Sequence, residues 1–555
     1  MFTRFLITLK DYKKSYLRYD IVAGIMVAAL TIPVAMGYAQ IAGLPPIYGL
    51  YASILPLLGY AFFATSRHLI ITPDSAASAI TGSVVVSLGF ALGSPDVLSI
   101  APVLTFFAAA FLLLFAVLKA GRFASFISTP VISGFLSGLG LFVILGQIPK
   151  ALGIEISGGT VFSQVGEILS SLPLVNVYSA LLAGSTLLLV LLSKKFLPKI
   201  PMALIVLVVG TIMTFLFGLD GFGVTIVGEI PGGFPTLAIP DILNFPDLSM
   251  GILSGFVIAI VILSDSLLTA KSFALRNRTK IQENRELVAF SAANFLSAFS
   301  GASPVSASTS CTAVNEQYHG KTQMASIVAA GIIALLVTFF GSLLYYMPQP
   351  VLAGIIIAAV SGVVDVKRAK IWAAESRNEF WIWILSLAGV LFVGVIFGVL
   401  VGILLSFADV IRGITKPEEA YLGIIDGKRG FFNLKNHSNA HPLENIIIYR
   451  FGARLFFANI SIFGAAIENA ILQNPKAIIV DASGINDIDV TAAETLEFLI
   501  ESAQKSGIGF YFAGIRADVE SDLIDTGLEE FVKSGHTQKT IEDALTISQR
   551  NISAA

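Results

Sequence analysis

The sequence has few charged residues and only one cysteine. Asp, Glu, Lys and Arg make up 13% of its 555 residues, against roughly 25% in soluble proteins. Hydrophobic residues make up 55%, so lipid as well as a protein core must receive these side chains. The single Cys311 excludes an intrachain disulfide and a multi-cysteine metal site. The net charge of -2 gives no indication of a nucleic-acid partner.

Composition changes near residue 415. Before it, apolar stretches are separated by Gly, Pro and short charged clusters; after it, charges are spread throughout and strand-like and helical stretches alternate. The sequence therefore predicts a membrane domain at 1–415 and a soluble domain at 416–555, joined near Lys416 and Pro417. The soluble part contains no recognisable catalytic triad, metal set or phosphate loop, so no enzyme activity is predicted.

The membrane domain contains about fourteen apolar segments, judged against the ~20 residues that cross the hydrocarbon core. Those that follow Pro73 and Pro304 are too short to span it. The segments are 20–38, 47–64, 74–89, 98–117, 124–146, 173–192, 201–218, 251–270, 283–300, 305–316, 323–346, 350–363, 378–391 and 392–411.

Basic residues are concentrated in alternate loops. If the N-terminus is cytoplasmic, the even-numbered loops carry nearly all Lys and Arg, with Lys150 as the exception. The loop at 220–247 is acidic and has no Lys or Arg. This is the positive-inside bias. It predicts a protein of the plasma (inner) membrane, with the N-terminus and the soluble domain in the cytoplasm.

The two halves of the membrane domain look related. The pattern Pro-x-Ser-Ala-x-Ser/Thr begins at Pro73 and again at Pro304, 231 positions later, and the same offset relates Gly24 to Gly255. Since each half has seven segments, an odd number, the halves must be inverted in the membrane. Paired short segments in inverted repeats indicate a substrate site between them.

The two short segments predict an anion site. A helix that begins inside the membrane presents unpaired N–H groups and about half a positive charge, and two such ends facing one another can hold an anion. Serine and threonine hydroxyls in the first turns add donors. The predicted substrate-binding residues are Ser75, Ala76, Ser78, Ser308, Thr309 and Ser310. Asp74, directly before the first turn, is interpreted as a helix N-cap.

Asp265 is an ionisable residue within an otherwise apolar segment. A mid-membrane Asp costs roughly 2.5–3.5 kcal/mol on insertion scales, so it needs a partner or a cavity. Thr269 lies on the same helical face at i+4. A carboxylate and a hydroxyl suit Na⁺, and a proton is the alternative. The 231 offset places Val34 opposite Asp265, so one half alone supplies the acid.

Several stretches of the membrane domain form a recognisable set of motifs. They are Asp20–Gly24, Ile32–Ala39, Ala42–Pro46, Gly49–Ser53, Thr65–Arg67 and Ala353–Ile356, together with the eighth and tenth segments. In these residues the chain resembles the SulP family of sulfate permeases, and the resemblance covers nearly its whole length.

The resemblance implies a seven-plus-seven inverted repeat divided into core and gate domains, with an anion carried by an elevator-like movement of the core. It also implies a homodimer. Asp265, Thr269 and Thr309 align with sodium-site positions of the family's bicarbonate symporter, and Ala307 would offer a carbonyl. No other cofactor is expected.

Two positions depart from the family pattern. Val34 replaces a frequent Gln, and Cys311 replaces the usual Arg of the tenth helix. Without that Arg, charge balance favours a co-bound Na⁺ or H⁺. The predicted function is therefore cation-coupled symport of a small oxyanion of the sulfate or bicarbonate class. An uncoupled exchanger or channel, a dicarboxylate transporter, a nucleobase transporter of the same fold and a membrane-tethered sensor remain as alternatives.

The soluble tail resembles a STAS domain, which the family carries at this end. Strands are predicted at Ile446–Phe451, Ala477–Val480 and Gly509–Ala513, with helices at Ile460–Leu472 and after Thr491. Thr491 aligns with a phosphorylated position in related anti-sigma-factor antagonists, which makes it a candidate regulatory residue. The alternative, which the sequence favours, is that Thr491 caps its helix.

Overall fold

The computed structural model describes residues 8, 12–121, 129–156, 161–197, 200–228, 233–362, 364–394, 401–402, 404–405, 407–408, 411–412, 415 and 417–554, apart from the side chains at 194, 342, 343, 553 and 554. The chain divides into two compact units, Met1–Phe407 and Ala408–Ala555. The predicted junction at Lys416 lies outside the described residues.

The first unit is helical, with two short strands. The strands are β1 (Ile71–Pro73) and β2 (Val305–Ala307). The helices are α1 (Leu17–Ile41), α2 (Pro46–Tyr51), α3 (Leu55–Phe63), α4 (Ser75–Ser87), α5 (Val97–Val117), α6 (Thr129–Leu152), α7 (Val161–Ser170), α8 (Val177–Phe196), α9 (Met202–Phe217), α10 (Leu248–Arg276), α11 (Glu283–Phe299), α12 (Thr309–Gln317), α13 (Met324–Phe340), α14 (Gln349–Val360), α15 (Val366–Glu375) and α16 (Arg377–Ala388).

Thirteen of the fourteen predicted segments coincide with these helices, the second being divided into α2 and α3. The start of the fifth segment, and most of the fourteenth at 392–411, lie outside the described residues. Five stretches of the described chain are long and apolar enough to cross a membrane by themselves. Two short helices, α7 and α15, were not predicted as segments, because each is amphipathic rather than apolar throughout.

The spanning helices form two bundles. In the core bundle, α1–α5 and α10–α13 pack together, with α11 against α3 and α5 and with α1 against α13. In the gate bundle, α6 packs against α8, α14 and α16, and α8 packs against α9. α1 also contacts α9 and α14, and α4 contacts α6. The predicted division into core and gate is therefore present in the packing.

The two halves of the core bundle interlock. α1 packs on α13, and its counterpart α10 packs on α5, so the first helix of each half meets the fourth helix of the other. A Cβ on Gly24 would lie 2.7 Å from Val328, and one on Gly255 would lie 2.3 Å from Phe107. Both glycines therefore permit the same close helix approach, and the Gly24–Gly255 correspondence is confirmed.

The 231 offset is wrong at the break in the helices. β1 and β2 begin at Ile71 and Val305, and α4 and α12 begin at Ser75 and Thr309. Both pairs are separated by 234 positions (305 minus 71 and 309 minus 75). Pro73 therefore ends its strand, whereas Pro304 precedes its strand. The interruption that the prolines indicated is real, but the motif alignment was three residues out of register.

Gly49→Ala is expected to destabilise the core bundle. A Cβ on Gly49, in α2, would lie 2.0 Å from the carbonyl oxygen of Ala35 in α1, and a backbone atom cannot move aside cheaply. Overpacking of this kind costs about 1–3 kcal/mol or more, which thermal unfolding in detergent would measure as a lower midpoint.

Gly331→Ala in α13 is the matched control. A Cβ there meets nothing within 4 Å among the described atoms, so replacing a helical glycine should be neutral or stabilise by about 0.5–1 kcal/mol. Equal midpoints for the two variants would contradict the α1–α2 contact.

The second unit is a mixed sheet covered by helices on both faces. Its strand order is β4-β3-β5-β6-β7-β8, in which β5 to β8 are parallel and β3 is antiparallel to β4 and β5. The predicted strands and helices are confirmed. The elements are β3 (Glu419–Gly423), β4 (Phe432–Asn433), β5 (Ile446–Phe451), α17 (Ile460–Leu472), β6 (Ala477–Asp481), α18 (Val490–Lys505), β7 (Gly509–Ala513), α19 (Ala517–Leu523), β8 (Thr537–Gln538) and α20 (Ile541–Ala554).

Adjacent residues of the central strand β6 face different helices. Ile478 and Val480 pack with Phe463 of α17 and Leu496 of α18. Ile479 packs on the opposite face, in a cluster that includes Ala544 of α20. Burial on both faces explains the uninterrupted apolar run in this strand.

Candidate functional site

The two interrupted helices start side by side. β1 and β2 pair antiparallel, with Ile71 opposite Ala307 and Pro73 opposite Val305. One residue after each strand a short helix begins: α4 has 13 residues and α12 has nine. The prediction of two short helices that begin near one another is therefore confirmed.

Side chains of neighbouring helices hold the break in place. Asn294 of α11 accepts a hydrogen bond from the backbone N–H of Val305 and donates one to its carbonyl, both at 2.9 Å. The Ala307 N–H donates to the Ser266 hydroxyl of α10 at 3.0 Å. These bonds satisfy backbone groups of β2, which lie inside the bundle and have no partner within a helix. Sequence reasoning missed Asn294 and Ser266, since polar residues of this kind often occur in helices without such a role.

A cavity of about 570 Å³ lies between the core and gate bundles at this break. On the core side it is lined by most of the predicted site residues. Ala76 and Ser78 are not among them: both are buried within the core bundle, and the Ser78 hydroxyl has no hydrogen-bond partner among the described residues. The predicted residues that line the cavity are Ser75, Asp265, Ala307, Ser308, Thr309 and Ser310.

Two of the predicted cation residues are in contact, and three line the cavity. The hydroxyls of Thr269 and Thr309 are 3.3 Å apart, which brings α10 and α12 together beside the cavity. Asp265, Ala307 and Thr309 line the cavity itself. Oxygen atoms of this kind suit Na⁺, so the arrangement fits a small hard cation. Among the described residues no cluster of three or more His, Cys, Asp or Glu side chains is present.

The two helix starts differ in charge. The Asp74 carboxylate caps α4 by accepting the Ala76 N–H at 2.9 Å, so the predicted N-cap is confirmed. The neutral Ser308 hydroxyl caps α12 by accepting the Cys311 N–H at 3.2 Å. A carboxylate at the start of α4 offsets its positive end. The α12 start is therefore the more electropositive of the two, which the symmetrical expectation did not anticipate.

The described wall of the cavity carries acidic side chains. Asp74 and Asp265 line it, and no Lys, Arg or His does so in the part of the chain that the structure describes. Cys311, at the position where the family pattern has Arg, is buried and lines the cavity, with its Sγ atom 3.5 Å from the Thr31 hydroxyl. Val34 also lines it. Both departures from the family pattern therefore face the site.

On one side the cavity reaches the connection between α8 and α9. Leu197, Ile200 and Pro201 of that connection are among its lining residues, as is Gly362 beyond the end of α14. In the sequence, Lys194 and Lys195 stand just before this connection, at the end of α8, and Lys199 falls within it. The cavity therefore extends toward the face with the basic loops.

Sequence reasoning missed two buried carboxylates, Asp20 and Glu286. Asp20 accepts hydrogen bonds from the backbone of Lys321, at 2.5 Å, and from the hydroxyl of Thr322, at 2.7 Å. Both acids are fully buried. Each lies close to a helix end, where a charge is normally interpreted as belonging to a solvated loop, so only the pairing of distant segments reveals these contacts.

Asn315 and Glu316, at the end of α12, also link segments. The Asn315 amide donates to the His68 carbonyl at 2.8 Å. Glu316 accepts from the Asn277 amide at 2.6 Å and from Arg276 at 3.1 Å. These contacts attach the end of α12 to α10 and to the segment before β1.

In the second unit, Thr491 does not cap its helix. Asp489 is the N-cap of α18: its carboxylate accepts the Ala492 N–H at 2.8 Å and the Phe457 N–H at 3.0 Å. Thr491 lies in the first turn with its side chain exposed. The capping interpretation was therefore wrong by two residues, and the regulatory role of Thr491 stays a prediction.

Stability measurements on the full chain can show which of Asp489 and Thr491 caps α18. Asp489→Ala is expected to lower the stability of the soluble unit by about 1–2 kcal/mol, the usual cost of losing a cap. Thr491→Ala should change it by less than about 0.5 kcal/mol, as at other exposed positions. Denaturant unfolding followed by circular dichroism would test this order, and a larger loss for Thr491→Ala would restore the capping interpretation.

An inverted repeat with two interrupted helices at a cavity between two bundles defines a secondary membrane transporter. The sequence model of the sulfate permease family matches residues 17–386, and the model of the STAS domain matches residues 438–544. The chain belongs to the sulfate permease family, and it carries a STAS domain at its C-terminal end. Members of this family are transporters rather than enzymes, in agreement with the sequence prediction.

Relatives align with nearly the whole chain. A probable sulfate transporter of Mycobacterium tuberculosis is 31% identical over 545 residues, which cover 98% of this chain and 97% of the relative. The chloroplastic sulfate transporter 4.1 of Arabidopsis thaliana is 30% identical, covering 97% of this chain and 81% of the relative.

Solved structures confirm the fold. The murine Solute Carrier 26 family member A9 anion transporter, in the inward-facing state, has a TM-score of 0.90 at 24% identity, covering 98% of this chain and 93% of that one. The transmembrane domain of the cyanobacterial bicarbonate transporter BicA has a TM-score of 0.62 at 24% identity, covering 71% of this chain and 98% of that one. The predicted fold class is therefore confirmed.

Proposed function

We propose that this protein is a secondary-active transporter that moves a small inorganic oxyanion, of the sulfate or bicarbonate class, together with Na⁺ or H⁺. The names of its relatives support the substrate class, since they include sulfate transporters and a bicarbonate transporter. The observation that carries the coupling is a cavity with two carboxylates and no base among its described lining residues.

The anion binds at the start of α12. Ser308, Thr309 and Ser310 line the cavity there, and hydroxyl and N–H donors at a helix start suit an oxyanion. The start of α4 is a poorer site because the Asp74 carboxylate already accepts the Ala76 N–H there and would repel an anion. The anion therefore lies nearer to the second half of the repeat than to the first.

The cation binds beside Asp265. No described Lys, Arg or His lines the cavity to neutralise this carboxylate, and an anion entering the same space would add like charge. A bound Na⁺ or H⁺ removes that repulsion, and it makes occupation by the anion and by the cation mutually favourable. Thr309 lines the cavity and contacts Thr269, so one residue adjoins both predicted subsites.

Transport proceeds by an elevator-like movement of the core bundle against the gate bundle. Asp265 and the starts of α4 and α12 all belong to the core bundle. Val190 and Ser193 of α8, with Ala203 of α9, line the opposite wall. Movement along this boundary would carry the complete site past a fixed wall. The basic loops would face the cytoplasm with the STAS domain, in the plasma membrane, and the functional unit would be a homodimer.

Uptake into proteoliposomes tests this function. Labelled sulfate, bicarbonate and a dicarboxylate would each be offered with an inward Na⁺ gradient, a pH gradient or neither. Accumulation of an inorganic anion that requires one of the gradients is the expected result. Exchange or leak that is indifferent to both gradients would indicate an uncoupled exchanger or channel, and no flux of any anion would favour the sensor.

A dicarboxylate is the second candidate substrate. The cavity of about 570 Å³ is larger than one tetrahedral oxyanion requires. Accumulation of the dicarboxylate in preference to sulfate and bicarbonate would overturn the inorganic assignment but leave cation coupling in place.

A further inference from the structure

The short helix α15 lies between two spanning helices of the gate bundle, α14 and α16. Its first turn is attached to the bundle, because the Asp365 N–H donates to the Ser137 hydroxyl of α6 at 3.2 Å and the Asp365 carboxylate caps α15 through the Arg368 N–H. Ala369 is buried against the bundle. α15 is therefore fixed where the chain leaves one span and enters the next, at the boundary of the membrane.

The outward face of α15 combines apolar and basic residues. Val366 and Ile371 are each 51% exposed, and Lys367 and Lys370 lie exposed between them. Neither lysine forms an ion pair with a described acidic side chain, whereas Arg368 pairs with Asp365 at 3.3 Å. A helix with this pattern lies in the interface, with apolar side chains among acyl chains and lysines at the headgroups.

Tryptophan gives an independent indication of depth. The chain has three tryptophans: Trp372 lies in α15, and Trp381 and Trp383 lie in the first two turns of α16. Trp381 is 56% exposed. Tryptophan is enriched at the level of the lipid headgroups, so this part of the gate bundle lies at that level.

We propose that α15 binds anionic phospholipid headgroups through Lys367 and Lys370 and so anchors the gate bundle in the bilayer. The charge on this face is complementary to such lipids. The other short helix of the gate bundle, α7, also exposes apolar side chains, with Phe162 71% and Leu169 61% exposed, but it contains Glu167 and no Lys or Arg. α7 should therefore contact lipid without preferring anionic headgroups.

Anchoring has a consequence for transport. An elevator requires one bundle to hold its position while the other moves, and α15 belongs to the bundle that does not carry the site. The lipid assignment depends on the surface of α15 and not on the identity of the anion or the coupling ion. It can therefore fail while the proposed transport function stands, and the reverse also holds.

The three tryptophans allow a direct test with the full chain. The protein would be reconstituted in phosphatidylcholine vesicles that contain a minor fraction of either brominated phosphatidylglycerol or brominated phosphatidylcholine, and tryptophan quenching would be compared. Stronger quenching by the phosphatidylglycerol is expected for the unmodified chain. In the double variant Lys367→Gln/Lys370→Gln, the affinity for phosphatidylglycerol relative to phosphatidylcholine should fall about 30-fold. Each lysine contributes about 1 kcal/mol near an anionic surface, and 1.4 kcal/mol is a factor of ten.

Two controls make the result decisive. Lys367→Arg/Lys370→Arg should keep the preference, and Arg368→Gln should largely keep it, because Arg368 is already paired with Asp365. Quenching by brominated phosphatidylcholine should be the same in all variants if they are folded. Equal quenching by both lipids in the unmodified chain would overturn the proposal, as would an unchanged preference in the double glutamine variant. Weak quenching by both would indicate that protein, not lipid, covers α15.

Discussion

Asp265→Asn is expected to lose most of the uptake that a cation gradient drives. The substitution keeps the size of the side chain but removes the negative charge and the ability to bind a proton at this position. An interaction with a charged group is worth about 1.5–3 kcal/mol, so the apparent affinity for the coupling cation should fall about 10- to 100-fold. Initial rates of labelled anion uptake, measured at increasing Na⁺ and at decreasing external pH, would show the loss.

Asp241→Asn is the matched control for this experiment. Asp241 is an exposed carboxylate of the loop before α10 and is hydrogen-bonded to the Asn244 amide at 2.8 Å. Its neutralisation should leave uptake and cation dependence unchanged. If Asp265→Asn retained wild-type dependence on the gradient, the coupling role of Asp265 would be excluded, whereas anion binding at the start of α12 would remain open.

Hydropathy and loop charge predicted most of the helices, because lipid imposes a length and a composition on every spanning segment. The breaks at α4 and α12 were also predictable, since Pro and Ser interrupt apolar runs there. The register between the two halves of the repeat could not be predicted from the sequence. Gly24 and Gly255 obey the 231 offset, but α4 and α12 are separated by 234 positions. A three-residue insertion between these points leaves no mark on composition.

The charge asymmetry of the site required coordinates. Asp74 was correctly interpreted as a cap. The sequence does not show that Ser308 is its counterpart, because the 231 offset places Val305 opposite Asp74. With the register known, the cap of one half-helix is an acid and the cap of the other is neutral. The preference for the α12 start follows from that comparison.

Helix ends were the least predictable positions. Asp489 and Thr491 are both good capping residues, and they lie two positions apart, within the uncertainty of any helix boundary. Only the contacts of Asp489 with Ala492 and Phe457 decide between them. Asp20 and Glu286 escaped notice for a related reason, since a charge near a helix end is usually solvated.

Glu286→Ala is expected to have the largest effect on stability. The Glu286 carboxylate is fully buried and accepts hydrogen bonds from the Tyr60 hydroxyl at 2.6 Å, from the backbone N–H groups of Thr65 and Ser66 at 2.7 Å each, and from the Thr65 hydroxyl. Alanine would leave these buried donors without an acceptor, at about 1–3 kcal/mol each. If rearrangement restores some of these hydrogen bonds, the free energy of unfolding should fall by about 3–5 kcal/mol. A lower unfolding midpoint in detergent would show this loss.

Two further variants test whether hydrogen bonding, and not charge, accounts for this loss. Glu286→Gln keeps one carbonyl oxygen for Thr65 and Ser66, and its amide can donate to the Tyr60 oxygen, so it should cost less than about 1.5 kcal/mol. Glu283→Ala removes the same residue type one turn earlier in α11, where the carboxylate is partly exposed and pairs with Lys271 at 2.9 Å; such a pair is worth at most about 1 kcal/mol. Because Glu286 joins α3 and the segment before β1 to α11, its loss should also loosen the support of the α4 start. A Glu286→Gln variant as unstable as Glu286→Ala would show instead that the negative charge itself is required.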